Sequence, residues 1–436
     1  MTSTRKTAVL IVASACLLPL ALAVPFLRIG SIESVTGLTS LLGRTAGILG
    51  LSFFLVATMI SLRVPGFDIR FGGLTRLWKV HHVLGGSSFF LLMAHPLLLV
   101  LAASRLSWNV AVSILLPEFS MWSIWMGWLS LAVMMIFMAP TLRLFGRPNY
   151  QRWKSLHALS GLALIFGLAH TLPLSRSLPA PWGKTMWLAY GTPAFLAFVY
   201  RAFVAPRTSR QAYSVVNVRT ARPAVVELTL ETEMSLLEYR PGQFIYLTPL
   251  DPKLPSGRNE EHPYTLSSAP HEPVLRVVIK DLGDATHALQ EIALRSRVLI
   301  EGPYGDFFPS TGKTTRELWI AGGIGLTPFL SRARSFAQQE TVTIHLIYCI
   351  QDETRADFLS ELQEIASRVP GFKVEMHFFD REGPLSASFL ASHCPDFTTR
   401  EIYVCGPPPL ISMARKELRL RGVPSMRIHY EDFAWL

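Results

Sequence analysis

Five histidines stand in stretches that are otherwise apolar. "HHVLGGSSFFLLMAH" opens on His81 and His82 and closes on His95, and "HALSGLALIFGLAH" runs from His157 to His170. Polar side chains at membrane depth are costly and mark functional positions by default, and imidazole is a metal ligand. A lone histidine near a span end is ordinarily a packed or interfacial residue. Four at matching depths on two segments ask for more. Spacings of 13 and 14 residues separate the levels by roughly 20 Å at helical rise. Two imidazole pairs at two depths are the layout that mounts two stacked b-type haems, each iron held between two histidines. At about 100° per residue, the 14-residue step from His81 to His95 nearly returns to one helix face. His81 is therefore the expected ligand and His82 its neighbour. The 13-residue step from His157 to His170 does not return, so that segment requires a helix that is not straight, with Gly161 and Gly167 between the two.

The elements that must position these side chains are membrane spans. Of 436 residues, half are hydrophobic and only 17% are charged. Runs of about 20 apolar residues suffice to cross a bilayer. Six occur, near 7–27, 38–62, 77–103, 119–142, 153–174 and 182–204. The first also has features of a signal peptide, with Arg5 and Lys6 ahead of it and Ala21-Leu22-Ala23 within it. Its apolar run continues to Leu27 and fills a span, so it reads as retained. Residues 1–206 hold 16 Lys/Arg against 3 Asp/Glu, whereas 207–436 hold 25 against 28. The basic excess therefore belongs to the membrane half, which argues against a general nucleic-acid binder. With the N-terminus inside, eleven basic residues flank the inner span ends and four the outer loops, so both termini are expected in the cytoplasm.

Beyond residue 206 the pattern changes to short β-rich runs, "AYSVVNV", "AVVELTL", "QFIYLTP" and "VLRVVIK", which read as a small antiparallel barrel over 207–311. From 312 to 436 strands alternate with helical stretches, as in a parallel α/β sheet. The fold class is thus multi-domain: a six-helix transmembrane bundle (1–206), an antiparallel β-barrel and a parallel α/β nucleotide-binding domain. Cys16, Cys349, Cys394 and Cys405 are scattered and suggest neither a disulfide framework nor a zinc site. "AGGIGLTPFL" (321–330) joins a strand to a helix, a turn whose small residues admit a pyrophosphate to a helix N-terminus. Alone it is a weak signal; "HPYTLSS" (262–268), "EGPYGDF" (301–307) and "YVCGPPPL" (403–410) surround it in order.

Taken together, the two histidine pairs, "HPYT", "GGIGLTP" and "CGPP" resemble the NADPH oxidase and ferric reductase family over nearly the whole chain, and its short prokaryotic members in particular. The resemblance implies two haems b on His81, His157, His95 and His170, with Arg44 of "LLGRTAG" beside the outer one. It implies FAD held by His262, Pro263, Tyr264, Thr265, Ser267 and Lys280, with Tyr264 against the ring and Gly283 and Thr286 toward the pyrophosphate. Gly322, Gly323, Gly325, Thr327 and Pro328 would cradle NADPH or NADH, with Cys405 and Gly406 near the nicotinamide. Arg355 is a candidate reader of a 2′-phosphate, and a solvated surface arginine is the competing reading. The ending "YEDFAWL" is similar to the family's Glu–Asn–Phe, whose Phe covers the flavin. Here Asp432 replaces the Asn and three residues follow Phe433, so Phe433 or Trp435 is the cover.

The expected activity is a superoxide-generating NAD(P)H oxidase of the cell (inner) membrane, passing electrons through FAD and both haems to oxygen outside. Thr265, Cys405, Phe433 and Arg44 are the residues expected at reacting atoms. The same wiring also serves a ferric or cupric reductase, or a membrane donor to a periplasmic protein. A transporter-like bundle with a degenerate reductase tail is the non-enzymatic alternative. Nucleic acid and an obligate protein partner are not expected.

Overall fold

The computed structural model describes residues 3–27, 34–142, 150–175, 178–179, 181–309, 316–337 and 343–431. The chain divides into two compact units, Thr2–Arg63 with Arg76–Thr208, and Val64–Thr75 with Ser209–Leu436.

The first unit is helical: α1 (Ser3–Ala23), α2 (Val35–Ile60), α3 (Leu74–Ser104), α4 (Trp108–Leu115), α5 (Trp122–Thr141), α6 (Tyr150–His157), α7 (Ser160–Leu174) and α8 (Trp182–Val199). Among the described residues six segments are long and apolar enough to cross a membrane, α6 and α7 together forming one of them. The protein is a multi-pass membrane protein. Its core gathers Leu55, Met134, Ala163, Leu164 and Trp187. Small residues bring the helices close, as bilayer packing requires. A Cβ at Gly161 would lie 2.1 Å from the Phe198 ring. The Tyr190 hydroxyl donates to the Ala15 carbonyl at 2.8 Å and ties α8 to α1.

Between α6 and α7 the α-helical ladder stops for two residues, Ala158 and Leu159. Here the amides of Leu159, Gly161 and Leu162 donate to the carbonyls of Leu156, Ala158 and Leu159, each three residues back. Such bonds wind the chain at about three residues per turn instead of 3.6. The added rotation, about 20° per residue, runs in the direction that a 13-residue spacing lacks, and the fifth span is interrupted as the sequence requires. Its break precedes Gly161.

The second unit contains a six-stranded antiparallel sheet, ordered β4-β3-β6-β1-β2-β5. Its strands are β1 (Arg210–Arg222), β2 (Val225–Glu231), β3 (Phe244–Pro249), β4 (His262–Thr265), β5 (Leu275–Lys280) and β6 (Arg297–Tyr304). β1 pairs with β6 through its first half and with β2 through its second, turning the corner at an irregularity between Val215 and Asn217. An antiparallel bridge between Leu266 and Val277 draws the two edges together. The barrel core includes Tyr213, Leu228, Ile245, Leu247, Val277 and Ile300.

The parallel sheet follows in the order β11-β10-β7-β8-β9. Its strands are β7 (Arg316–Gly322), β8 (Thr343–Ile350), β9 (Phe372–Phe378), β10 (Glu401–Cys405) and β11 (Ile428–Tyr430). A buried arginine joins barrel to sheet. Arg334 donates to Glu227 at 2.8 Å, to the Ser267 carbonyl at 2.9 Å, and through Nε and Nη2 to both oxygens of Glu361. The same unit takes in Val64–Thr75, the segment between α2 and α3.

Candidate functional site

In the membrane unit the four expected histidines meet in the expected pairs. The ring centres of His81 and His157 lie 6.1 Å apart, and those of His95 and His170 lie 6.4 Å apart. A metal between two imidazoles, with bonds of about 2 Å and roughly 1 Å from each nitrogen to its ring centre, calls for centres about 6 Å apart. Backbone carbonyls fix three of the rings. Nδ1–H of His81 donates to Ala57 at 2.9 Å, that of His95 to Gly43 at 2.8 Å and that of His170 to Ser123 at 2.8 Å. A carbonyl only accepts, so Nδ1 carries the proton and Nε2 keeps its lone pair for a metal. His157 differs. Its Nδ1 is buried with no hydrogen-bond partner among the described residues, and Trp153 and Phe137 flank its ring at 5.3 Å each. His82 bonds back to the Trp78 carbonyl of its own helix.

The sequence reading missed what holds these rings. A Cβ at Gly47 would lie 2.7 Å from His95 Nδ1, and one at Gly127 would lie 2.6 Å from His170 Nδ1. Each glycine sits four residues after the carbonyl that accepts from the same imidazole. The usable signal is small-xxx-small spacing, Gly43/Gly47 and Ser123/Gly127. Along α3, a Cβ at Gly85 or Gly86 would meet nothing within 4 Å, so the helix between His81 and His95 borders open space. These residues fit two haem groups. Arg44, next to Gly43, is exposed and has no protein partner among the described residues.

In the barrel, "HPYT" is the edge strand β4, with Ile245 opposite Tyr264. The Tyr264 hydroxyl is buried without a partner among the described residues, and burial pushes its phenol above the usual range. An orphaned donor on an edge strand suits a flavin. Thr265 is buried beside it. The Ser267 hydroxyl is taken by Glu227 at 3.1 Å. Lys280 ends β5. Gly283 begins the short helix Asp284–Ala288 with open space where a side chain would be, and the Thr286 hydroxyl closes that turn by donating to the Gly283 carbonyl at 3.0 Å.

In the nucleotide domain the glycines separate into two kinds. A Cβ at Gly325 would lie 2.5 Å from the Cys405 carbonyl, one at Gly322 2.4 Å from Leu410, and one at Gly406 2.9 Å from Gly322. These three let the turns after β7 and β10 lie backbone against backbone. Of the glycines in the turns after β7 and β10, Gly323 combines a left-handed φ of +53° with free space. With Thr327, Tyr348, Asp357 and Phe358 it lines a crevice at the carboxyl ends of the strands, where open α/β sheets bind ligands. Pro328 is buried in the first turn of the following helix. Cys405 is buried too, and burial raises its thiol well above the ordinary range, with Glu431 adding to the effect. Arg355 is half exposed, its Nε 3.5 Å from an Asp352 oxygen. Thr354 holds the Asp352 carboxyl below its usual range. Phe433 and Trp435 lie outside the described residues.

Three family models match the chain in order. They are a ferric reductase like transmembrane component (residues 46–168), an FAD-binding domain (210–307) and an oxidoreductase NAD-binding domain (319–416). Among curated proteins, the ferredoxin reductase component of 3-ketosteroid-9-alpha-monooxygenase from Mycobacterium tuberculosis is 31% identical over 45% of this chain and 55% of its own length. The glycine betaine monooxygenase reductase subunit of Chromohalobacter salexigens is 28% identical over 45% and 57%. The chain thus spans little more than half the length of these relatives. The flavohem-like FAD/NAD binding domain of nitric oxide dioxygenase from Vibrio cholerae aligns at TM-score 0.46 and 23% identity, over 51% of this chain and 98% of that one. The chain is a ferric-reductase-like transmembrane domain fused to a ferredoxin-reductase-like FAD and NAD module, and hence an oxidoreductase.

Proposed function

We propose that this protein carries electrons across the cell membrane, from cytoplasmic NAD(P)H through FAD and two haems b to oxygen outside. Each NAD(P)H then supplies two oxygen molecules, leaving NAD(P)+, one proton and two superoxide ions. The observation that carries the reading is the pair of facing imidazole couples, spaced for a metal between them, with three of the four rings tautomerically set by backbone carbonyls. When bound, FAD supplies the conversion between a hydride and single electrons that links nicotinamide to haem. His81 and His157 hold the inner group, and His95 and His170 the outer. Haem held between two imidazoles at each level would supply single-electron transfer to oxygen. The exposed Arg44 guanidinium offers its charge to the developing anion.

The test is purification with haem counting, followed by anaerobic NADH or NADPH addition and then oxygen. Two bis-histidine b-type haems per chain, both reduced by the coenzyme, and superoxide-dismutase-sensitive cytochrome c reduction are expected. A preparation with no dithionite-reducible haem spectrum rejects the reading.

A second reading has its own support: the relatives named above are the ferredoxin reductase component of one monooxygenase and the reductase subunit of another. Oxygen consumption that stays slow until a periplasmic protein is added would favour it, and faster reduction of chelated iron or copper than of oxygen would favour a metalloreductase.

A further inference from the structure

The crevice at the carboxyl ends of the parallel strands has a wall whose shape its own sequence does not favour. Asp357 and Phe358 line it together with Gly323 and Thr327. Phe358 is the N-cap of the helix Leu359–Arg368, with a left-handed φ of +63° and no side-chain capping bond. An N-cap is ordinarily extended and carries a short polar side chain. A bulky residue at positive φ is an outlier that persists only where its surroundings impose it.

What imposes it here comes from the antiparallel barrel, which shares one compact unit with the sheet. Asp357 is buried, and its two oxygens lie 2.9 and 3.0 Å from Nε of Arg222, the last residue of β1. Burial raises the Asp357 carboxyl above its ordinary range, and Arg222 and then Lys280 oppose that rise. Arg222 and Lys280 both stand opposite Val225 in the barrel sheet. The Phe358 ring is engaged as well, with the Arg219 guanidinium 4.8 Å and that of Arg334 5.7 Å from its centre. Arg219, also on β1, shares Glu227 and Glu361 with Arg334. Ala224, two residues after Arg222, has φ +65°. Of the four non-glycine residues at positive φ among the described residues, two thus stand on the two sides of one ion pair. A nucleotide entering the crevice meets a wall already in place, and none of its binding energy goes into ordering that turn.

We propose that Arg222 is a positioning residue for the coenzyme: from the barrel it holds Asp357, and with it the left-handed turn at Phe358, in the conformation that receives the nucleotide. The proposal rests on NAD(P)H as the electron donor, as given above. Without the ion pair the turn relaxes, and apparent affinity falls with the fraction of chains that stay competent. The step after binding is unchanged, because Arg222 acts through Asp357.

The experiment mixes the full chain in lipid nanodiscs anaerobically with a series of NADH concentrations and follows flavin reduction. Saturation separates the apparent dissociation constant from the limiting rate. In Arg222→Ala the constant is expected to rise about tenfold, as when about a tenth of the chains keep the competent turn, with limiting rate and flavin content within about twofold of wild type. Asp357→Ala should weaken binding about equally, and adding Arg222→Ala to it should change the constant by less than about twofold, because the two groups act as one. In a Phe358→Gly background, where the turn carries no strain, Arg222→Ala should cost less than about threefold. Should Arg222→Ala lose its flavin, Arg222→Lys, which keeps the charge without the Nε contact, is expected to raise the constant about threefold.

A wild-type constant in Arg222→Ala overturns the proposal, and so do additive losses in the double variant. Tighter NADH binding in Asp357→Ala also overturns it, since the freed guanidinium would then bind the coenzyme phosphates itself. A tenfold cost of Arg222→Ala in the Phe358→Gly background, or flavin loss from both Arg222 variants, reduces the ion pair to a structural tie and overturns it too. A wild-type flavin that neither NADH nor NADPH reduces instead rejects the donor assignment.

Discussion

His95 and His170 are held alike: each donates Nδ1–H to a carbonyl, and each has a glycine four residues beyond that carbonyl admitting the ring. The inner pair is held on one side only, where His81 bonds Ala57, while His157 ends a helix among aromatic rings with its Nδ1 unbonded. The outer mount is defined by directed bonds and close backbones, the inner one partly by packing. A wider contrast lies behind this. The membrane unit satisfies three of its four paired imidazoles with neutral carbonyls, whereas the reductase unit is tied by ion pairs such as Arg334 with the buried Glu227 and with Glu361. Backbone partners suit a medium where charge is prohibitive.

The largest effect should come from removing one ligand of each pair. His95→Ala is expected to halve the haem content yet leave the remaining haem reducible by coenzyme. His81→Ala, with the same content, should break that reduction altogether. Pyridine haemochrome counts with anaerobic spectra decide it, and equal behaviour of the two variants would erase the inner–outer distinction.

Next in size is Arg334→Ala, which strands the buried Glu227 carboxylate and leaves the half-buried Glu361 unpaired. A loss of about 3–5 kcal/mol is expected for the reductase unit, visible as early flavin release on heating with the haem spectrum unchanged. Gly127→Ala should destabilise the outer site by about 1–3 kcal/mol through overpacking and lower outer-haem occupancy alone. Loss of the inner haem in that variant would contradict the separate mounting of the pairs.

The pH response should belong to the reductase unit. His345 and His377 are buried there, and burial depresses both, His345 to about 4. A histidine held neutral when folded gives its full stabilisation above its unfolded value of 6.5. That contribution is lost as pH falls from there toward 4, because the unfolded chain binds the extra proton. About 1–2 kcal/mol should disappear for His345 between roughly pH 7 and 5, seen as a falling flavin-release temperature. A flat profile over that range would remove the histidines from the account. The smallest effect concerns coenzyme choice. Asp352 already engages Arg355, so Asp352→Ser should improve NADPH binding severalfold by removing a carboxylate that repels a 2′-phosphate, measurable by calorimetry with 2′-phospho-ADP-ribose.

Much of this was legible before any coordinates. Apolar runs and basic flanks gave the spans, β-rich runs and then alternation gave the two sheets, and the histidine spacings gave the pairs. What composition and periodicity could not supply was contact between distant segments. The Ala57 carbonyl carries no side-chain signal at all, and those of Gly43 and Ser123 are marked only by a glycine four residues later. Gly322 and Gly325 read as phosphate-cradling from their motif, but their role as packing glycines depends on Cys405 and Gly406, some eighty residues later in the chain. Nothing local to the connector between the second and third spans reveals that Asp68 accepts the Gly305 amide.

The interruption at Ala158–Leu159 bears on how such a site can change over time. His157 and His170 are aligned by a count of residues together with one tight turn, and neither works without the other. Inserting a single residue would swing the inner imidazole by about 100° and slide it about 1.5 Å along the axis, far outside any distance a side chain recovers by rotation. Gradual drift is therefore closed to this span. Lineages can keep the shortened interval with its kink, or acquire the longer interval and a straight helix in one step.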